Sequence, residues 1–308
     1  MNAQKDPSIH EINEVLNRLQ ALTLNNQMDE RHRLLWESGD MIRQYLYSFT
    51  LEGCPQQLLR DYINDAHARF FRTLDIMIYI KDAHVLEFGG NPYLFSLLLK
   101  RLYKYDHVIA NFFSKNIFET SLSHGNQIIK SNDFGEEYCF NYTHLNMELS
   151  EYPWPTGSFD MVIFSEVLEH LIVDPEQIFF KLYEIIKPGG RLIVTTPNAV
   201  RLINCAAMLR GKNIFDRYHT INGVYGRHNR EFTREEVNNF LTLAGFEIAY
   251  SATLDRYNYD CVDMHTDSYE LSDKLPWKGA KLLGLLSSIG AETADRGDNI
   301  YCVGNKPF

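Results

Sequence analysis

An α/β fold is predicted, with a doubly wound, mostly parallel, seven-stranded sheet behind an N-terminal helical extension. Three observations predict it. Strand and helix signals alternate from residue 84 onward, as in chains whose parallel strands are joined by crossover helices. Two short apolar runs of buried-strand length, Met161 to Phe164 and Arg191 to Thr196, both end in polar residues. A third run, Val85-Leu86-Glu87-Phe88, leads through Gly89-Gly90 toward a helix. In open parallel sheets, ligands bind beyond the carboxyl ends of the strands.

The elements follow in order. Residues 8–81 read as helices. Ile9, Ile12, Val15, Leu16, Leu19 and Leu22 keep helical spacing, and Pro55 suits a first helical turn before a second apolar stripe from Leu58 to Leu74. This extension, 1–81, reads as a cap on a core domain, 82–308, with a homodimer or a substrate lid as its sharper uses. Strands are expected at 84–88, 107–112, 138–145, 159–165 and 191–196, with helices at 94–102 and 175–186. Lys187-Pro188-Gly189-Gly190 reads as a turn. Thr233-x-x-Glu236 is a capping box for a helix over 234–244, which Gly245 closes. Strands at 246–253 and 299–304 then form an antiparallel edge. Residues 199–230 break the alternation and read as an insertion near the active edge.

Composition bounds the function. With 45% hydrophobic and 13% aromatic residues among 308, a full core is available. The net charge of −10 disfavours a nucleic-acid binder, which needs a basic face. Cys54, Cys139, Cys205, Cys261 and Cys302 are scattered and form no C-x-x-C pair. Neither a disulfide framework nor a thiolate zinc site is signalled, and a reducing, cytoplasmic setting is the default. The polar N-terminus lacks a signal-peptide core, and no apolar run approaches the ~18 residues of a transmembrane helix.

Two groups of residues carry chemistry. Gly89-Gly90 lets the backbone approach a ligand at a helix N-terminus. A dinucleotide fingerprint would place further glycines where Asn91 and Tyr93 stand. Glu166, Glu169 and His170 follow the fourth strand, and their i, i+3, i+4 spacing predicts one face of a helical turn. Their oxygen and imidazole donors suit a divalent ion. His228, ahead of the capped helix, is the expected fourth donor. Without metal, His170 or His228 would serve as general base. Two carboxylates at a helix start are also favoured by the macrodipole alone.

As a set, E-x-G at the first strand, F-D-M-V-I-F-S-E-V-L-E-H at the fourth and K-P-G-G-R-L-I-V-T-T-P-N at the fifth resemble class I S-adenosylmethionine-dependent methyltransferases. The resemblance covers about 83–253 plus the final strand. It implies a Rossmann-like fold and S-adenosylmethionine as cofactor. It also implies that Glu87, Phe88, Gly89, Gly90 and Asn91 form the cofactor turn, with Glu87 ordering it and approaching the cofactor amino group. Asn111 would hold the ribose in place of the usual acid. Asn146 and Met147 would flank the adenine, with Glu148 competing, and Ser165 would line the same site. E-x-x-E-H with a later His resembles the metal site of small-RNA 2′-O-methyltransferases and ubiquinone-type O-methyltransferases. It implies Glu166, Glu169, His170 and His228 as ligands of Mg²⁺ or another divalent ion. The block from Tyr225 to Val237 and the closing R-G-D-N-I-Y-C-V-G-N-K-P look like bacterial surface-glycan methyltransferases.

The expected function is therefore O-methylation of a sugar or glycan-like acceptor. Rival readings are an RNA 3′-terminal ribose, a quinone-like phenol, or a catalytically silent fold used as a binding subunit. Arg227 and Arg230 read either as an anion clamp or as ion-pair partners of Glu231, Glu235 and Glu236. His219 reads as a loop residue, and the Tyr- and Asp-rich stretch 255–270 as a sugar wall or a plain loop.

Overall fold

The computed structural model describes residues 7–216, 224–255 and 279–308. His219 and all but the first residue of the 255–270 stretch lie outside them. The chain forms two compact units, Met1–Asn111 with Ser121–Leu145, and Phe112–Thr120 with Asn146–Phe308. The extension 1–81 falls wholly in the first.

The first unit opens with α1 (Ile9–Leu24), α2 (Met28–Glu37), α3 (Gly39–Tyr47), β1 (Phe49–Leu51) and α4 (Gln56–Ile76). Ser8 and Glu11 cap α1 reciprocally, a box not foreseen from the sequence. Leu16 and Leu19 of α1 are fully buried. Each such burial is worth about 1.5–3 kcal/mol. The exposed His10–Glu14 pair on the same helix is worth at most about 1 kcal/mol, so packing decides where α1 sits. Arg31 is buried and donates to the carbonyls of Leu74 and Met77 and to the Tyr103 hydroxyl. It thereby satisfies carbonyls that the end of α4 leaves open.

Next come β2 (Val85–Phe88), α5 (Leu94–Leu98) running into one wider turn (Leu99–Tyr103), β3 (Val108–Asn111), β4 (Ser123–Ser131) and β5 (Glu136–His144). β2, β3 and β5 run parallel, while β4 pairs antiparallel with β5 and β1 antiparallel with β4. The link from β3 to β5 is thus a hairpin strand rather than a helix. β1 and β4 bring the described strands to nine, two more than the seven expected. The reason is composition: Ser123-His124-Gly125-Asn126-Gln127 is polar and mostly exposed, so it shows no buried-strand signal.

The second unit holds β6 (Phe159–Ser165), α6 (Pro175–Ile185), β7 (Ile186–Pro197), α7 (Leu202–Leu209), α8 (Arg234–Ala244), β8 (Glu247–Leu254), α9 (Gly279–Ser288) and β9 (Asn299–Asn305). β6 and β7 are parallel, and β9 pairs antiparallel with both β7 and β8. That is the expected antiparallel edge. The capping box of Thr233 and Glu236 forms, and Gly245 closes α8 in the left-handed region. Lys187 to Gly190 does not end a strand. It bulges within β7, because Ile186 pairs with Phe159 and Arg191 with Met161. The α/β class with a parallel centre stands.

Candidate active site

The glycine turn belongs to the first unit. Gly89 has φ +74°, a conformation that favours glycine, and its N–H donates to Ala110 across β3. At Gly90 a Cβ would lie 2.9 Å from Ile109 Cγ2, so this glycine lets the turn sit down on the sheet. Below it, the buried Glu87 carboxylate accepts from Ser96 Oγ at 2.6 Å and from His107 Nε2 at 2.9 Å. Glu87 therefore ties β2 to α5 and to His107, just ahead of β3. Phe88 is buried and Asn91 exposed. Tyr93 stacks on Phe140 at 5.4 Å, and its hydroxyl accepts from Asn111 Nδ2 at 2.9 Å. Burial pushes the Tyr93 pKa up, so the phenol stays neutral. Asn111 Oδ1 is buried without a hydrogen-bond partner among the described residues. A buried acceptor left open costs about 1–3 kcal/mol unless a ligand donor meets it, and ribose hydroxyls are such donors.

In the second unit, Asn146 is occupied with its own loop. Its Oδ1 accepts from the N–H groups of Glu148 and Leu149, and its Nδ2 donates to the Ile117 carbonyl. Met147 is buried. Glu148 accepts from the N–H groups of Ile172 and Val173, 2.7 Å each, and from the Tyr225 hydroxyl. Ser165 Oγ lies 2.6 Å from Thr195 Oγ1.

Glu169, His170 and His228 converge, with one donor atom from each within 4.8 Å of the others. A short helical turn, Leu168–His170, carries the first two. The backbone of Asn229 and Arg230 donates to the Glu169 carbonyl, and Asn229 Nδ2 to that of His170, which brings His228 in from a distant segment. Both imidazoles have Nδ1 committed. His170 Nδ1 lies 2.8 Å from the Arg227 carbonyl, which can only accept. His228 Nδ1 lies 2.9 Å from Glu231 Oε1. Arg201 grips Glu231 with both guanidinium nitrogens, at 2.6 and 2.9 Å, and Asn204 adds a third contact. Neither of the two imidazole bonds uses an Nε2, the pattern of histidines that hold metals. Glu169 Oε2 accepts from Thr196, while Oε1 is buried without a hydrogen-bond partner among the described residues. His170 Nε2 stands 4.0 Å from Oε1. That is too far for a hydrogen bond and close enough for one ion with ligand distances of about 2.1 Å to touch both.

Glu166 is not part of this group, and the expectation of one helical face is corrected. Glu166 takes φ +53°, so the helical turn starts only at Leu168. Its carboxylate accepts from Thr195 Oγ1 at 2.8 Å and from Asn299 Nδ2 at 3.0 Å. Arg230 pairs with Glu236, and Arg227 Nε donates to Asn229. Glu231, Arg201 and Thr196 were missed in the sequence. The H-x-x-E spacing of His228 and Glu231 was the available signal for the first of them.

Burial, then the nearby Glu166 charge, pushes the Glu169 pKa up to about 8. For His228, burial pulls down, but Glu231 and Glu169 outweigh it and hold the imidazole at about 9. Burial and His228 lower the His170 pKa. The signs fix a stability profile. Stability from His228 is full below its unfolded value of about 6.5 and is lost as pH rises through about 9. Glu169 ionises first in the unfolded chain, so it too weakens the fold as pH climbs toward about 8. In chelator, the melting temperature should fall between pH 6.5 and 9, and an added divalent ion should flatten the fall. A flat profile in chelator would contradict the coupling.

The fold matches one class of protein. The profile of the methyltransferase domain family matches residues 57–251, so the chain belongs to that family. A Mycolicibacterium smegmatis protein named "Probable S-adenosylmethionine-dependent methyltransferase" is 31% identical over 101 residues. The match spans 32% of this chain and 33% of that protein, about a third of the relative's length. A chain from the Haloferax volcanii complex of the Trm112 methyltransferase activator with a methyltransferase superposes with a TM-score of 0.52. It is 12% identical, with 81% of this chain and 92% of that one covered, which shows the fold alone.

Proposed function

We propose that this chain is an S-adenosylmethionine-dependent O-methyltransferase that binds and activates a hydroxyl of a sugar or glycan-like acceptor at Glu169, His170 and His228. The observation that carries the reading is Glu169 Oε1, buried without a hydrogen-bond partner among the described residues, beside two imidazoles whose Nδ1 atoms are already committed. S-adenosylmethionine, when bound, supplies an electrophilic methyl group. Gly89 and Gly90 would lie against it, Asn111 Oδ1 would accept from its ribose, and Asn146, Met147 and Ser165 would line its path. A divalent ion such as Mg²⁺ would be held by Glu169, His170 and His228 and would lower the pKa of an acceptor hydroxyl. Glu166 would act on the cluster through its charge, which already raises the Glu169 pKa. The residues then do two jobs: they orient the acceptor oxygen and hold the proton it gives up.

A second reading has a specific observation behind it. His170 has a lowered pKa and an uncommitted Nε2, which suits a metal-free general base. Isotope-labelled cofactor incubated with sugar, ribonucleotide and phenol acceptors, with and without chelator, separates the readings by product mass. The proposal predicts labelled sugar ether that disappears with chelator. Labelled product unaffected by chelator supports the general base. A chain that binds cofactor without transferring its methyl is the silent subunit. The free cysteines among the described residues, Cys54, Cys139, Cys205 and Cys302, fit a cytoplasmic setting. Ile9 and Leu58, exposed on α1 and α4, are candidate contacts for a homodimer, which light scattering tests.

Asn111→Asp should keep or tighten cofactor affinity. The Tyr93 hydroxyl can turn to donate to one carboxylate oxygen, leaving the other as a charged acceptor for ribose. Calorimetry checks this. A large loss of affinity in a folded variant would give Asn111 another role.

A further inference from the structure

We propose that α7 and α9 form a docking face for an anionic lipid bilayer. The two helices pack on each other through Leu202, Ile203, Ala206, Leu282 and Leu286, a small apolar cluster of their own. That contact uses one side of α9. The other side is only partly polar. Lys281, Leu285 and Ile289 follow at four-residue steps along one exposed face, and Ile289 N–H still donates to the Leu285 carbonyl. Gly284 faces open space. Met208 and Leu209 end α7 exposed, the first at 63%, and Phe215 follows at 60%. Single exposed apolar residues are ordinary, whereas three on one helix pair, with Ile289 and Phe215 just beyond its helices, call for a partner.

Charge selects that partner. The chain carries −10 overall, yet residues 199–215 contain Arg201, Arg210 and Lys212 and no Asp or Glu. Residues 279–291 contain Lys281 and no Asp or Glu. Lys212 and Lys281 are exposed, while Arg201 is turned inward to Glu231. Among the described residues, Asp216 and Glu292, the acids that directly follow these two stretches, are engaged with backbone. Asp216 accepts from the His228 N–H, and Glu292 from those of Thr293 and Ala294. Lysines beside large apolar side chains suit a headgroup layer with anionic lipid. A second copy docked on the same face would set these cations against themselves. The first turn of α7 also holds the candidate site, because Arg201 and Asn204 grip Glu231. Eight residues, about 12 Å of helix, thus join the lipid face to the clasp on His228.

Flotation with vesicles tests this, using phosphatidylcholine alone and phosphatidylcholine mixed with phosphatidylglycerol. The wild-type chain should float with the mixed vesicles, less with pure phosphatidylcholine, and less at high salt. Leu285→Glu with Ile289→Glu should cut the bound fraction roughly tenfold or more, the loss of two apolar side chains' burial. Lys212→Glu with Lys281→Glu should remove the preference for anionic vesicles. Melting temperature and cofactor affinity should stay at the wild-type values in both variants, so methyl transfer can fail without touching this inference. Wild-type protein that floats with neither vesicle overturns it. So does a Leu285/Ile289 variant that floats like wild type, or a wild-type dimer that the substitution dissolves without any vesicle binding.

Discussion

Glu169→Gln should lower methyl transfer by a factor of about 10²–10⁴ while leaving the fold at least as stable. The amide keeps an acceptor for Thr196 and takes no ionisation cost in a fully buried position, where the carboxylate's pKa is pushed up to about 8. Stability of the variant above pH 8 should therefore equal or exceed that of the wild type. The combination matters: a merely structural residue would lose activity and stability together. His228→Ala should lose activity to a similar degree, but it strands Glu231 beside Arg201 without its imidazole partner. Glu231→Gln should weaken metal affinity about 10- to 100-fold, because it removes the charged partner that fixes the His228 tautomer. Rates and melting curves across pH check all three. A Glu169→Gln variant with wild-type turnover would remove the cluster from the reaction.

Gly89→Ala should weaken cofactor binding at least tenfold, with only a modest loss of stability. Its φ of +74° costs an L-residue about 1–2 kcal/mol, and on the proposed reading the new methyl would stand where the cofactor needs bare backbone. Gly90→Ala is a different case. Its Cβ would press on Ile109 Cγ2 at 2.9 Å, so the turn must lift off the sheet, and overpacking of this kind costs about 1–3 kcal/mol. Calorimetry with S-adenosylmethionine and thermal melts on the same samples distinguishes them. Unchanged affinity in Gly89→Ala would separate the turn from the cofactor.

The sequence was most informative where local rules coincide. Thr233, Glu236 and Gly245 mark both ends of α8, since a capping box and a left-handed glycine are local signals. β6 and β7 were legible because continuous apolar runs have few other uses. β1 and β4 were not, because three residues between helices and a polar edge strand carry no periodic signal. In the site, the pairing of Glu169 with His170 followed from spacing. The departure of Glu166 did not, because a left-handed backbone at a non-glycine residue is set by Thr195 and Asn299, which lie far off in sequence. The Arg201–Glu231–His228 chain was hidden for the same reason. It joins a segment before residues 217–223 to one after them, and no local pattern records that meeting.

Titration with Mn²⁺, followed by loss of the free-ion electron paramagnetic resonance signal, tests the central claim most directly. The account predicts one saturable site per chain in the wild type, absent in Glu169→Gln and in His228→Ala, with cofactor affinity unchanged in both. Equal Mn²⁺ uptake by the wild type and both variants, or no saturable uptake by a wild-type chain that binds cofactor, would contradict it.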